Sequence, residues 1–258
     1  MDFVCGDGTR LVVSLRPSTR ARRWRLQLDY RGILEVVIPA REATAASPSV
    51  VSDFVERNRR WIERATRRTT FEREAYAASK AAGLPQCLEF PLCKERWLIE
   101  CRLTRALSVS ARPDGLRRLD GACQVFVLRL CGATSDEALC CRALARFVLR
   151  RAKEAIPPFA WEICRELGAK PRSVTVNSRK SAWGVCTRAG DIRIDRRVLF
   201  LPVPLARQVV MHEAAHLKHL NHSKRFYDEL FSYEGSTPET ERALRKATPH
   251  IPAWFLDA

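Results

Sequence analysis

The chain has 258 residues, 46% of them hydrophobic, which is long and apolar enough for one large domain or two small ones. Its 45 Lys and Arg outnumber its 29 Asp and Glu, and a net charge of +16 predicts weak, nonspecific binding of nucleic acid or other polyanions. Ten cysteines without a CxxC pair argue against a zinc ribbon or finger, and the lack of a long apolar run or a signal-like N-terminus predicts a cytoplasmic protein without a membrane span.

The first elements read as β-strands. Residues 10–17 and 23–39 alternate apolar and polar side chains, and Arg31-Gly32 supplies a turn within the second stretch. No internal repeat is evident. The N-terminal region is therefore expected to be rich in β-structure.

One Arg-rich helix is predicted to follow. Ser47 can cap its N-terminus and Pro48 fits its first position. Its basic residues run from Arg57 to Arg68, and i,i+4 pairs of Glu56 with Arg60 and of Glu63 with Arg67 are expected to neutralise some of them. A solvated face and a nucleic-acid surface are both compatible with this helix.

Residues 87–131 contain three further apolar stretches typical of strands. A capping box of Thr134 and Glu137 then predicts a helix that ends before Pro157-Pro158, followed by a second helix to Gly168. Three short strands follow, SVTVN, SAWGVCT and DIRID, the last two joined at Ala189-Gly190. We place a soft boundary near residue 132, between a β-rich region (1–132) and an α+β region (133–258).

A histidine cluster lies on the next predicted helix, which Pro202 and Pro204 open. His212 and His216 are four residues apart, so on a helix they are offset by about 40° and about 6 Å and lean toward one point. A zinc ion bound by imidazoles needs this convergence. Glu213 flanks the first histidine, where it can act as general base toward water. HExxH on a helix is the signature of zinc hydrolases.

A hydrolytic zinc requires a third protein ligand. His219 lies about 10.5 Å further along a straight helix than His212, too far to share one ion with it. We therefore expect the helix to end and the chain to reverse, with Asn221 in a left-handed conformation, so that His222 returns to the metal. Ser223 can cap the next helix. Glu234 and Glu239 remain alternatives to His222.

The stretch from Asn177 to Phe226 resembles the YgjP-like metallopeptidase family, which is related to the SprT-like and WLM zinc hydrolases. The resemblance rests on the Trp-Gly-x-Cys segment, the Gly-x-Ile strand, HExxH and the Asn-His-Ser-x-x-Phe tail. It implies metal ligands at His212, His216 and His222 and a catalytic Glu213. Family members usually have arginine and serine where this chain has Ala182 and Val185, which puts its specificity in question.

These observations predict an α+β fold whose C-terminal half is zincin-like, with helices on a small, mostly antiparallel sheet. The predicted activity is hydrolysis with one zinc ion, of a peptide or protein substrate, with the strand GDIRID as a possible peptide-binding edge. Two alternatives remain: a hydrolase of phosphoric anhydrides or nucleotides, and a nucleic-acid-binding module with a structural metal. Further roles are left open: Tyr227 or Arg225 as oxyanion donor, and Asp191, Asp195 or Glu234 as partner of a ligand imidazole.

Overall fold

The computed structural model describes residues 1–178 and 182–258, with all of their side chains except those of residues 116 and 117. Residues 179–181, which include the first residue of the predicted strand SAWGVCT, lie outside the described residues. The chain divides into two compact units, Met1–Ala81 and Ala82–Ala258. The division falls at Ala82 rather than near residue 132, because the strands between these points share their core with the helix that follows them.

The first unit is a four-stranded sheet with two helices. Its strands are β1 (Asp2–Val4), β2 (Arg10–Ser18), β3 (Arg25–Leu28) and β4 (Ile33–Pro39), in the order β1-β2-β4-β3. β2 and β4 are parallel, and the other two pairings are antiparallel. Helices α1 (Pro48–Arg57) and α2 (Arg59–Ala81) follow. Alternate residues of the strands, such as Leu34 and Val36, share a core with Val55 and Ile62 of the helices.

The single Arg-rich helix expected after Ser47 is two helices. Ser47 caps α1, as predicted, by accepting a hydrogen bond from the Val50 N–H. α1 ends at Arg57, and the side-chain amide of its C-cap, Asn58, donates to the Phe54 carbonyl. This competing side-chain hydrogen bond accounts for the break. Apolar periodicity continues across the break, so the sequence pattern alone does not reveal it.

The second unit begins with another four-stranded sheet. Its strands are β5 (Cys87–Phe90), β6 (Glu95–Leu103), β7 (Val109–Asp120) and β8 (Cys123–Gly132), in the order β5-β6-β8-β7. β6 and β8 are parallel and the outer pairings antiparallel, so this sheet repeats the topology of the first. The sequence shows no such repeat. Two sheets with the same strand order need apolar residues on the same faces, but these residues can be of different types.

Helix α3 (Glu137–Glu166) corrects two expectations. Its N-cap is Asp136, which accepts a hydrogen bond from the Leu139 N–H, rather than Thr134. It also continues through Pro157 and Pro158 instead of ending before them. A proline inside a helix removes a backbone hydrogen bond and costs about 3 kcal/mol. The helix tolerates this cost because residues on both sides of the prolines are completely buried in the core, Ile156 and Ala160 among them.

A small sheet and the remaining helices complete the second unit. The strands β9 (Ser173–Asn177), β10 (Gly184–Cys186) and β11 (Asp191–Asp195) lie in the order β10-β11-β9. One of the two pairings, β9 with β11, is parallel, so the sheet is not mostly antiparallel. The strand GDIRID is also not an edge: β11 is central, and β10 and β9 are the two edge strands. The helices are α4 (Val203–Ala215), α5 (Lys224–Leu230), α6 (Pro238–Arg245) and α7 (Ala253–Leu256).

The predicted α+β class, with its β-rich N-terminal half, is confirmed. Of the eleven strands in the described ranges, eight lie before α3, and the larger core cluster joins β5–β8 to α3, α4 and the small sheet. None of the helices in the described part of the chain combines the length and apolar character that a membrane crossing requires.

Candidate metal centre

Helix α4 carries the first two histidines of the centre. It begins after Pro202, as predicted, and buries Val209, Val210 and Met211 in the core. That burial fixes the rotation of the helix and leaves the rings of His212 and His216 half-buried on one side. Their ring centroids are 5.1 Å apart, so the i,i+4 spacing brings the two imidazoles together.

The chain reverses directly after this helix. α4 ends at Ala215 with His216 as its C-cap, and α5 begins at Lys224. The expected reversal is therefore present, but not by the expected means. Asn221 is not left-handed, since Lys94 is the one non-glycine residue with positive φ in the described ranges. Ser223 is the N-cap of α5 by position and makes no capping hydrogen bond through its side chain.

The reversal brings a third imidazole to the first two. The Nε2 atoms of His212 and His222 are 3.0 Å apart, and one ring nitrogen from each of His212, His216 and His222 lies within 4.8 Å of the others. Phe226, which is fully buried, packs beneath all three rings, with centroid distances of 5.0, 4.5 and 4.8 Å. The Phe226 ring thus forms a buried apolar surface against which all three imidazoles pack.

The other candidate ligands are not in this cluster. His219 contributes its backbone carbonyl, which accepts a hydrogen bond from His216 Nδ1 at 2.9 Å, and its ring is not one of the three. Glu239 bonds to Arg242. Glu234 is likewise not among the residues that the structure brings together as possible ligands in the described chain. Of the residues considered from the sequence, His222 is the third histidine that joins the pair.

Hydrogen bonds orient two of the imidazoles. His216 donates from Nδ1 to the His219 carbonyl, and His212 Nδ1 faces the Glu241 Oε2 at 3.4 Å. These interactions occupy the Nδ1 atoms and leave the Nε2 atoms of both rings available to a metal. Burial lowers the pKa of His216 and of His222, which favours the neutral form that binds metal ions.

Glu241 is a residue of the centre that the sequence did not single out. Its Oε2 accepts a hydrogen bond from Gln208 Nε2 at 3.0 Å and faces His212. Burial alone would raise the pKa of Glu241, but the hydrogen bonds from His212 and Gln208 lower it to about 2. Gln208 lies one helical turn before His212 on α4. A polar residue at this position, beside a predicted ligand, is the feature of the sequence that could have indicated a hydrogen-bonding partner such as Glu241.

Two of the three carboxylates considered from the sequence as partners of a ligand imidazole, Asp191 and Asp195, bind other residues. Asp191 accepts hydrogen bonds from Arg172 Nε and Ser173 Oγ, both at 2.7 Å. Asp195 pairs with Arg197 at 2.7 Å. Both aspartates therefore stabilise the small sheet and its connections, and Glu241 is the carboxylate that contacts a histidine of the cluster.

Glu213 lies next to the cluster and is 5% exposed. Its Oε2 is buried and has no hydrogen-bond partner among the described residues. Burial raises the pKa of Glu213 to about 7, although the charge of His212 and the Cys186 N–H act to lower it. A buried, unsatisfied carboxylate oxygen is costly, and its persistence at a site is typical of a functional group that awaits a partner.

Strand β10 forms the other wall of the centre. Gly184 packs directly against the Glu213 side chain, and a Cβ at this position would lie 2.7 Å from both Cγ and Oε1 of Glu213. The Cys186 thiol in the same strand packs against the core, and burial raises its pKa to about 11. Cys186 is therefore not a nucleophile at neutral pH.

A cavity of about 370 Å³ opens in front of the histidines and Glu213. Ala182 and Val185, the two departures from the family pattern, both line it. Arg245 lines it as well and donates toward the Tyr227 hydroxyl at 3.4 Å. Arg225, which the sequence suggested as an oxyanion donor, is exposed and is not part of the lining.

The donor set fits a divalent metal ion. Three imidazole nitrogens lie close enough to share one ion, two of them on rings whose Nδ1 atoms are already held in hydrogen bonds. Imidazole sets of this kind suit zinc and other first-row transition metals, whereas Mg²⁺ and Ca²⁺ prefer oxygen ligands. The unpartnered Glu213 oxygen lies beside the set, where a polar reactant would satisfy it.

The family comparison agrees with this geometry. A family model described as "YgjP-like, metallopeptidase domain" matches residues 22–247, which include all three histidines and Glu213. No curated protein matches the chain. Among solved structures, the chain is similar to the metallopeptidase zymogen of Pyrococcus abyssi abylysin, with 26% identity and a TM-score of 0.30, over 35% of this chain and 93% of that chain.

Proposed function

Because the chain belongs to the YgjP-like metallopeptidase family, we propose that it is a zinc-dependent peptidase that uses the centre on α4 and α5. The family match confirms the resemblance inferred from the motifs. The observation that supports zinc-dependent peptidase activity at this centre is the convergence of three imidazoles, with one nitrogen from each within 4.8 Å of the others, beside the buried carboxylate of Glu213.

His212, His216 and His222 would hold the ion. Three histidines are the ligand set of several hydrolytic zinc sites, which keep a further position for water or substrate. Bound zinc polarises a carbonyl group as a Lewis acid and makes water more acidic. The chain itself contributes the orientation of the ligands, through Phe226 beneath the rings and through the hydrogen bonds at Nδ1.

Glu213 is the proposed general base. Its carboxylate accepts a proton from the attacking water, while the water oxygen forms a bond to the scissile carbonyl carbon. Glu213 then returns this proton to the leaving amine nitrogen as the C–N bond breaks. Two features support this role: Oε2 has no competing hydrogen bond among the described residues, and Gly184 leaves the side chain just enough space to lie beside the cluster.

An extended peptide is the proposed substrate form, and β10 is its proposed binding edge. β10 pairs with β11 on one side and belongs to the wall of the cavity on the other. A peptide that pairs with this edge would use backbone hydrogen bonds, which do not depend on its sequence. Side chains that face the cavity meet Val185, Val209, Leu220 and Leu244, so we expect preference for an apolar residue beside the cleaved bond.

The proposal is tested by incubating zinc-loaded protein with a peptide library and, in parallel, with nucleoside triphosphates. Mass spectrometry reads the peptide products and phosphate release reads the nucleotide arm. Cleavage of peptides beside apolar residues, lost in Glu213→Gln, supports the proposal. Nucleotide turnover without peptide cleavage would favour the phosphoric-anhydride alternative instead.

A further inference from the structure

Helix α2 in the first unit exposes a face that the proposed peptidase does not use. Its residues lie within one sector of about 120° at 100° per residue. We call it the arginine–aromatic face; it consists of Arg60, Trp61, Arg64, Arg67, Arg68 and Phe71. Trp61 is 39% exposed and Phe71 70% exposed. Large aromatic rings left in water between cations are typical of binding surfaces rather than of solvated helices.

The arginines of this face are not neutralised by the acids expected to pair with them. Glu56 and Glu63 both bind Arg59, at 2.9 and 3.8 Å, instead of Arg60 and Arg67. Glu63 also accepts from the Gly6 N–H at 3.2 Å. Within the described ranges, no ion pair involves Arg60, Arg64, Arg67 or Arg68. Their positive charge is therefore available to an anionic partner.

A groove of about 900 Å³ runs between this face and the sheet of the first unit. Trp61, Arg64 and Arg68 form part of one wall. The opposite wall contains both apolar and polar side chains: Val12, Leu26 and Leu28, and Ser14 and Gln27. The two acids that line it are paired, Glu35 with Arg16 at 2.8 Å and Asp29 with Arg31 at 2.9 Å.

We propose that the arginine–aromatic face and its groove bind single-stranded nucleic acid without sequence preference. Guanidinium groups bind phosphates, and unpaired bases stack on exposed aromatic rings. A duplex does not offer free base faces, and a flat bilayer does not enter a groove. An acidic peptide would satisfy the arginines but not the rings. The combination of cations, rings and groove therefore favours a single strand.

The test uses the full chain and a fluorescein-labelled single-stranded oligothymidine, with binding read by fluorescence anisotropy over a salt series. Trp61→Leu should weaken binding by about 5- to 150-fold, the effect of removing one base stack. Phe71→Ala, at a more exposed position, should weaken it in the same direction without risk to the fold. The Arg64→Gln, Arg68→Gln double variant should reduce the salt slope by about 0.7 for each phosphate that is no longer neutralised.

The matched control is the double variant Arg22→Gln, Arg23→Gln, which changes the net charge equally at two exposed arginines that neither belong to the face nor line the groove. It should bind the oligothymidine nearly as the unmodified chain does. The proposal is overturned if this control loses as much affinity as the Arg64, Arg68 pair. It is also overturned if both aromatic variants are neutral, if duplex DNA binds as tightly as the single strand, or if anionic phosphatidylserine vesicles displace the oligothymidine.

Discussion

Gly184 lies so close to the Glu213 side chain that residue 184 has no space for a side chain of its own. A Cβ on residue 184 would lie 2.7 Å from the Cγ and Oε1 of Glu213, well inside van der Waals contact. Glu213 is itself buried, so it has little space into which it can move. The glycine of the Trp-Gly-x-Cys segment therefore has a physical reason: it allows the edge strand to pass beside the proposed base.

The first prediction follows from this close approach. Gly184→Ala should push the Glu213 carboxylate away from the histidines, and peptidase turnover should fall by about 10²- to 10⁴-fold, as on removal of a general base. Zinc content should not change, because no histidine is moved. Arg193→Ala on the neighbouring strand β11 is the control, because its side chain is exposed and does not line the cavity. Wild-type turnover in Gly184→Ala would contradict the role given to this glycine.

The second prediction concerns the third histidine. His222→Ala should greatly reduce zinc occupancy, because two imidazoles remain where three converge. His219→Ala should leave occupancy unchanged, because His219 contributes its backbone carbonyl, which alanine retains. Metal analysis of both purified variants makes the comparison. Equal zinc content in the two variants would remove His222 from the ligand set.

The third prediction concerns Glu241. Removal of a carboxylate that orients a ligand imidazole typically weakens metal affinity by about 10- to 100-fold. Glu241→Ala should show this decrease, and Glu241→Gln should show less of it, because the amide oxygen still accepts from His212. Competition with a chelating dye measures the affinity. Glu239→Gln on the same helix is the control, and an equal decrease there would assign the effect to α6 as a whole.

The fourth prediction concerns acid stability. Hydrogen bonds from Arg172 and Ser173 lower the pKa of Asp191 to about 2. Since the unfolded value is about 3.9, this carboxylate stabilises the fold above about pH 4, and the contribution is lost as the pH falls toward 2. Urea unfolding of metal-free protein should show that Asp191→Asn is destabilising at pH 6, by a margin that shrinks below pH 4. A margin independent of pH would contradict the pairing.

Much of the centre could be predicted from the sequence, because its geometry is local. The offset between His212 and His216 follows from helix geometry alone, and the impossibility of His219 as a partner follows from the rise per residue. His222 can come back to His212 and His216 if the helix ends between His216 and His222. By contrast, Glu241 comes from another helix, and nothing in a linear pattern specifies which acid packs against Gln208.

The sequence-based predictions that the structure contradicts also failed for physical reasons. A proline pair typically ends a helix, but burial of α3 on both sides of Pro157 and Pro158 outweighs the missing hydrogen bonds. The pair predicted between Glu56 and Arg60 requires one continuous helix, and the helix is interrupted at Asn58. Glu63 lies within α2 but binds Arg59, four residues before it, instead of Arg67. The choice of β10 over β11 as edge strand depends on the parallel pairing with β9, an interaction between distant segments. Such long-range pairings are decided by packing, not by periodicity.

The proposed mechanism requires Glu213 to move a proton and not to bind the metal. The most direct measurement compares zinc content and peptide turnover in the unmodified chain and in Glu213→Gln, which preserves shape and removes the base. We expect equal zinc content in the two proteins and a turnover in Glu213→Gln that is lower by at least about 10²-fold. A Glu213→Gln variant that keeps its zinc and cleaves the same peptide at the unmodified rate would contradict it.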